Sequence, residues 1–289
     1  MRRFLPLALA ALLLTPACDG LGGPEVSAVA AIYPLAWVAS QVGGDRVDVL
    51  DLTAPGVEAH DATLTAGQRA ELMSADVVLL LGVEGFQPDV ERAAEDATGA
   101  VVDVTAVLDL LPAGGELAAD PHFWLDPLLL AQTVPLVAAA FASADEGNAD
   151  AYLANAAALE QRLVALDAEI RRALAACAFT TFVTTHEAFT YFARAYGLEQ
   201  LALEGPSPDA EPSAEAIERV LTAIADGDAA PAIFAEATAE GRRIGGAIAE
   251  DAGVVLYGVA TLESDPAPVD YVGVMRANLD GLAEGLGCR

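Results

Sequence analysis

The stretch ADAYLANAAALEQRLVALDAEIRRALAA, residues 149–176, contains neither Gly nor Pro and separates two similar halves of the chain. Its larger apolar residues recur at helical spacing: Leu159, Leu163, Leu166, Ile170 and Leu174. The pattern predicts one helix of about 28 residues, roughly 40 Å long at 1.5 Å per residue. A helix of that length connects two lobes stiffly.

On both sides of this segment, apolar runs of strand length alternate with helix-like stretches. The strand-like runs are Val26–Ile32, Val47–Leu52, Val77–Leu81 and Val101–Val104, then Thr180–Thr184, Ala232–Ala235 and Val254–Val259. Helical patterns include Leu64–Ser74, Gln87–Asp96, Ile217–Ala225 and Arg242–Ala252. This alternation is typical of parallel sheets covered on both faces. We predict an α/β fold of two lobes, each a parallel sheet flanked by helices, joined by one long linker helix.

The first residues have the layout of a secretory signal. Arg2 and Arg3 precede the apolar run Phe4–Leu14, which is too short to span a bilayer because a span needs about 20 residues. Cleavage after Ala17 makes Cys18 the first residue, and a small polar segment follows it as a tether would. We therefore predict an exported protein, periplasmic or otherwise extracytoplasmic, with a lipid anchor on Cys18. Plain secretion after the same cut is the alternative.

These signals divide the chain into a signal peptide (1–17), a tether (18–24), an N-terminal lobe (25–146), the linker helix (147–177) and a C-terminal lobe (178–289). Two further cysteines, Cys177 and Cys288, lie at the end of the linker and near the C-terminus. Export permits a disulfide between them, but sequence gives no distance, so bridged and unpaired cysteines both remain open.

Charge excludes one class of partner. The 289 residues include 14 basic residues, all arginine, against 43 acidic ones, a formal net charge of -29. A chain this negative is repelled by nucleic acid and mildly concentrates cations, although solubility or adaptation to salt explains the acidity equally well. We expect no nucleic-acid partner and a monomer.

Three histidines stand in loops that follow or precede predicted elements. His60 lies in the turn-rich segment 55–61, His122 in segment 120–127, and His186 directly follows a strand-like run. Loops at the carboxyl ends of parallel strands converge on ligands. A lone histidine in a loop is usually structural, but three placed alike favour a metal site, since three imidazoles and one carboxylate complete a tetrahedral zinc site.

The fourth ligand is expected from the loop after the last strand, where Glu263 and Asp265 both offer a carboxylate. Either carboxylate could reach the histidines, so both remain candidates. Other acidic residues beside the histidines are expected either to orient the imidazole rings or to cap the following helices: Asp61, Asp120, Asp126 and Glu187.

Several segments together resemble the cluster-9 family, the zinc- and manganese-binding solute-binding proteins of bacterial ABC importers. They are Ile32-Tyr33-Pro34-Leu35, Pro55-Gly56-Val57-Glu58-Ala59-His60-Asp61, Asp-Pro-His-Phe-Trp-Leu-Asp-Pro at 120–127, and His186-Glu187-Ala188-Phe189. The resemblance implies that His60, His122 and His186 ligate a metal in the cleft between two lobes bridged by a long helix. The family's fourth ligand is normally Asp. Counting from the preceding strand places Glu263 at that position, whereas the local Ser-Asp pattern favours Asp265, and we rank Glu263 first.

The leading hypothesis is extracytoplasmic capture of a divalent metal ion as cargo and its delivery to an ABC-importer permease, without enzymatic activity. Three nitrogens and one oxygen favour Zn²⁺ over Mn²⁺, which prefers more oxygen. One alternative is a zinc-dependent hydrolase, but the sequence after His186-Glu187 lacks the second histidine of a His-Glu-x-x-His motif. An adhesin or structural lipoprotein leaves the placed histidines unexplained.

Overall fold

The computed structural model describes residues 24–113, 117–205, 211–236 and 238–289. The predicted signal peptide, the cleavage site, Cys18 and nearly all of the tether lie outside these residues. One sheet is built from β1 (Val26–Ala30), β2 (Val47–Asp51), β3 (Val77–Leu80) and β4 (Ala100–Asp103). Its strands are parallel in the order β2-β1-β3-β4. Its helices are α1 (Tyr33–Gly43), α2 (Ala66–Ser74), α3 (Pro88–Ala94) and α4 (Pro127–Ala144).

The second sheet has the same arrangement. The long helix α5 (Ala149–Ala173) leads into β5 (Thr181–Thr184), β6 (Glu199–Ala202), β7 (Ala232–Glu236) and β8 (Val255–Val259). These strands are parallel in the order β6-β5-β7-β8. The helices around them are α6 (Thr190–Tyr196), α7 (Ala214–Asp226), α8 (Ala239–Ala252) and α9 (Tyr271–Gly285). The predicted fold class is confirmed, whereas the exact lobe boundaries remain a prediction.

Helix α5 packs against both lobes. It buries Tyr152, Leu159, Leu163 and Ile170 against α4, α1 and α9. The helix ends at Ala173, earlier than the predicted Ala176, because the chain turns at residues 174–176 to enter the second lobe. By length and hydropathy alone, α4 is the one helix within the described ranges able to cross a bilayer, yet here it packs against α5 and α1 as a core helix.

Two elements were missed by the sequence patterns. Strand β6 has the sequence Glu-Gln-Leu-Ala. It lies at the edge of its sheet, where a strand has a neighbouring strand on one side and does not need a continuous apolar sequence. Helix α9 follows the last predicted strand, and Asp270 caps its start by accepting a hydrogen bond from the Gly273 N–H at 2.9 Å. Helix α9 packs on α5 and on β8, and β8 is the strand before the loop that carries Glu263.

Cys177 and Cys288 form a disulfide across a sequence separation of 111 residues. Backbone hydrogen bonds strengthen the same junction, with the Ala178 N–H donating to Leu286 O at 3.0 Å and the Arg289 N–H to Ala176 O at 3.1 Å. The end of the chain is therefore fixed to the start of the second lobe.

We expect the double variant Cys177→Ser, Cys288→Ser to lose about 3–5 kcal/mol of unfolding free energy, because the bridge no longer restricts the unfolded chain. Urea unfolding of the oxidised parent and the variant measures the loss. Metal stoichiometry serves as the control and should not change. Equal midpoints would show that the bridge carries no stability.

The strand that leads towards His60 ends in an acidic residue with an unusual environment. Asp51 Oδ1 accepts a hydrogen bond from the Thr53 N–H at 3.0 Å, but Oδ2 is buried without a hydrogen-bond partner. Burial raises the pKa of the Asp51 carboxyl from 3.8 to about 7, against the effect of the Thr53 hydrogen bond. Ionised Asp51 therefore destabilises the folded chain.

Because the folded pKa lies above the unfolded one, the stability associated with Asp51 is complete below about pH 4 and is lost as pH rises towards 7. We expect Asp51→Asn to remove this loss, amounting to up to about 4 kcal/mol at pH 8, while Asn Oδ1 keeps the Thr53 hydrogen bond. Chemical unfolding of both proteins between pH 4 and 8 measures the difference. Parallel pH profiles would contradict the assignment.

Candidate metal site

Four side chains from both halves of the chain meet between the two sheets. Each offers one ligand atom, and these atoms all lie within 4.8 Å of one another; the residues are His60, His122, His186 and Glu263. Their side chains are only 7%, 0%, 3% and 2% exposed, in that order. Sequence reasoning had singled out all four, and the structure brings them together.

His60 lies in a 3₁₀ turn, Ala59–Asp61, in the loop after β2. The Gln87 side-chain amide holds this turn by donating to Ala59 O at 3.2 Å and Ala31 O at 3.1 Å. The ring of Phe86 packs edge-on against the imidazole, with the centroids 4.7 Å apart. An apolar wall therefore backs the ring.

His122 begins the 3₁₀ turn His122–Leu125, directly before α4. The turn is fixed to the second lobe, because Trp124 Nε1 donates to Thr261 O at 2.7 Å and the Tyr271 hydroxyl donates to Trp124 O at 2.6 Å. The turn that carries His122 is therefore bonded to the loop that carries Glu263.

Strand β5 ends at Thr184, and His186 comes two residues later, after Thr185. Its carbonyl oxygen accepts from the Thr184 hydroxyl at 2.8 Å and from the Gln200 side-chain amide at 2.9 Å. Its ring centroid lies 4.9 Å from that of His122 and 6.0 Å from that of His60. The three imidazoles thus surround one small volume.

Glu263 lies in the loop after β8. Its Oε2 accepts from the Ala59 N–H at 2.9 Å, and its Oε1 lies 3.3 Å from His122 Nε2. The preceding residue, Leu262, is buried and has φ 63°, a left-handed conformation that most side chains avoid. This backbone conformation directs the Glu263 carboxylate into the cluster.

Asp265 lies outside the cluster. It is exposed, and its Oδ1 accepts from the Ala267 N–H at 3.0 Å within its own turn. The structure thus separates the two carboxylates that the sequence left as alternatives for the fourth ligand.

Two buried carboxylates orient two of the imidazoles. Asp120 Oδ1 is 2.8 Å from His122 Nδ1, and Glu236 Oε1 is 2.8 Å from His186 Nδ1. Because a carboxylate only accepts, each Nδ1 carries a proton and donates it, so Nε2 is the ring nitrogen that can bind a cation once it carries no proton. Of the acidic residues proposed from sequence, Asp126 caps α4 and Glu187 is exposed. Nothing is described of the Asp61 side chain.

Sequence reasoning missed Glu236 and Glu58. Glu236 is an acidic residue at the carboxyl end of a fully buried strand, β7, and that placement is the signal that could have identified it. Glu58 lies two residues before His60 in the quoted loop segment, and Glu58, His186 and Glu236 form a second group of ligand atoms within 4.8 Å of one another.

Pairing shifts the pKa values inside the cluster. Burial lowers the pKa of His122, but its hydrogen bonds with Asp120 and Glu263 outweigh burial and raise it to about 9. Burial raises the pKa of Glu263, yet the hydrogen bond with His122 and the charges of the histidines hold it well below its usual range. For Glu58, burial and the charges of Glu236 and Glu263 raise the pKa to about 9.

This donor set suits a borderline divalent cation. Three imidazole nitrogens and one carboxylate oxygen satisfy a tetrahedral zinc ion, and all four positions come from the protein. Catalytic zinc sites keep one position open for water or substrate, whereas four protein ligands close the site. The arrangement is therefore chemically suited to holding an ion.

Two lobes joined by a long helix, with such a cluster between them, define the class of metal-binding solute-binding proteins. The family model described as "Zinc-uptake complex component A periplasmic" (ZnuA) matches residues 28–285. The chain belongs to this family, which confirms the resemblance seen in the sequence.

Individual relatives carry zinc or manganese in their names. The chain is 27% identical to the high-affinity zinc uptake system protein ZnuA of Bacillus subtilis, covering 91% of this chain and 88% of that protein. It is 29% identical to the manganese-binding lipoprotein MntA of the same organism, covering 91% and 90%. The crystal structure of the Zn(II)-bound ZnuA-like domain of Streptococcus pneumoniae AdcA matches with a TM-score of 0.77 and 29% identity, covering 92% and 99%.

Proposed function

We propose that this chain captures one divalent metal ion outside the cytoplasmic membrane and delivers it to the permease of an ABC importer. The ligands are His60, His122, His186 and Glu263. The observation that carries the proposal is the cluster itself, since four buried ligand atoms within 4.8 Å of one another match the size and donor preference of zinc. The family and its zinc-uptake relatives support the transport role.

Zinc is the preferred cargo in this proposal and manganese the second. The three nitrogen donors favour zinc, because manganese generally takes more oxygen ligands. Both a zinc uptake protein and a manganese-binding lipoprotein are among the relatives, so the family alone does not choose between the metals. The donor chemistry of this chain is what supports zinc.

The proposal also includes a lipid anchor on Cys18, a monomeric receptor and no catalysis. The name of the lipoprotein relative supports the anchor. Four protein ligands leave no open coordination position for an activated water, and this argues against the hydrolase alternative.

A zinc titration of the mature chain, the residues after Ala17, tests the proposal. We expect one tight equivalent in competition with a chelator. Because zinc binds the folded state, the melting temperature should rise with free zinc, with about 4 kcal/mol of stabilisation at a thousandfold excess over the dissociation constant. The absence of a tight site, or saturation at two tight equivalents, would contradict it.

A further inference from the structure

A cavity of about 260 Å³ adjoins the metal-ligand cluster. Four acidic residues are among those that line it: Glu263, Glu236, Glu58 and Asp265. Their exposure increases in the order just given, from 2% for Glu263 and 7% for Glu236 to the half-buried Glu58 and the exposed Asp265. The cavity thus connects one of the proposed ligands with solvent along a series of carboxylates.

Glu58 occupies a distinctive place in this cavity. Its Oε2 is buried and has no hydrogen-bond partner, although a carboxylate oxygen removed from water is costly without a donor or a cation. One ligand atom each from Glu58, His186 and Glu236 lie within 4.8 Å of one another. A divalent cation at this point would satisfy the unpartnered oxygen and take the place of the proton in the hydrogen bond between the Glu58 and Glu236 side chains.

The two groups of ligand atoms share His186. The four inner ligands enclose a bound ion almost completely. For the ion to enter from solvent or leave to solvent, these ligands must be replaced one at a time by others. Glu58 supplies a replacement oxygen beside His186, while Glu236 keeps the His186 ring in place through Oε1. Glu58 also lines the cavity, which is partly open to solvent.

We propose that Glu58 is a transient ligand that receives the metal ion from the cavity, passes it to the four inner ligands, and takes it back on release. The inference rests on the proposed function, because it assumes that the inner cluster binds the ion. It assigns Glu58 a role in the rate of exchange, distinct from the equilibrium role of the inner ligands.

Stopped-flow measurements with zinc alone test this role. Association is followed by mixing metal-free protein with zinc, and dissociation by mixing the zinc complex with a chromophoric chelator in excess. We expect Glu58→Gln to lower both rate constants about tenfold, so that their ratio changes much less than either rate. Asp265→Asn removes one charge from the same cavity and is the matched control, with rates close to the parent's.

Two results would overturn the inference. Rates for Glu58→Gln equal to those of Asp265→Asn would show that Glu58 only contributes charge, and a faster dissociation with unchanged association would make it a permanent ligand. Glu58→Ala is measured in parallel. Circular dichroism shows which of the two Glu58 variants is folded, and a folded variant is the one compared with the parent chain. If the parent chain itself lacks tight zinc binding, the proposed function fails, and this outcome is separate from any difference between variants.

Discussion

His60→Ala is expected to weaken zinc binding by about a hundred- to a thousandfold while leaving the metal-free fold nearly intact. The total free energy of a four-ligand zinc site, on the order of 10–16 kcal/mol, corresponds to about 2.5–4 kcal/mol per ligand. His60 packs against Phe86, and its Nε2 is 3.9 Å from Glu263 Oε2, farther than a hydrogen bond reaches, so removing His60 breaks no hydrogen bond between the two side chains. Competitive zinc titration and thermal melting without metal measure both quantities.

His122 provides the contrast. A loop histidine that served only as a ligand would, when replaced by Ala, weaken metal binding far more than it destabilised the metal-free fold. However, His122 lies between Asp120 and Glu263, fully buried, at 2.8 and 3.3 Å from their carboxylate oxygens. His122→Ala leaves these carboxylates buried without their partner, which typically costs about 3–5 kcal/mol. If His60→Ala destabilises the metal-free chain as much as His122→Ala, the assignment of His60 as mainly a ligand is wrong.

Glu263→Gln is expected to lower the affinity for zinc by about a hundredfold and that for manganese by more. The substitution keeps the shape of the side chain and an oxygen that accepts from the Ala59 N–H. It removes the negative charge and replaces the carboxylate that would bind the metal ion. Manganese depends more on oxygen donors, so its loss should be larger. Titrations with both metals at one pH give the two affinities.

Asp265→Asn is the matched control for that experiment. It also removes one negative charge, but from an exposed turn, two residues along the chain from Glu263. Its affinity for zinc should remain within about threefold of the parent's, given the screening of exposed charges by solvent. Weaker binding in Asp265→Asn together with parental binding in Glu263→Gln would reverse the assignment of the fourth ligand.

The fold was largely predictable because its signals are local. Buried parallel strands require continuous apolar runs, and the runs at β3 and at Ala232–Ala235 of β7 are of this kind. Strand β6 is at an edge and carries two polar residues, so tertiary position determined its structure more than its sequence did. The end of α5 likewise depends on a turn and a disulfide that bring distant residues together.

The candidate site was predictable only in part, for the same reason. Three histidines stand out because they are the only ones in the chain and each lies in a loop. Asp120 is identifiable because it lies beside His122 in the sequence, whereas Glu58 and Glu236 do not stand out among 43 acidic residues, and only their distances to His186 distinguish them. Choosing between Glu263 and Asp265 required the conformation of the backbone around Leu262, which no local pattern specifies.

The hydrogen bond from the Ala59 N–H to Glu263 joins residues 204 positions apart, and the surrounding side chains come from both halves of the chain. Neither half could assemble this set of donors alone, so a captured ion acts as a noncovalent crosslink between the lobes, in addition to the hydrogen bonds of Trp124 and Tyr271. Subglobal openings that separate the halves must first release the ion, whereas fraying within one lobe need not. Occupancy should therefore raise the free energy of openings that separate the lobes more than that of fraying within one lobe.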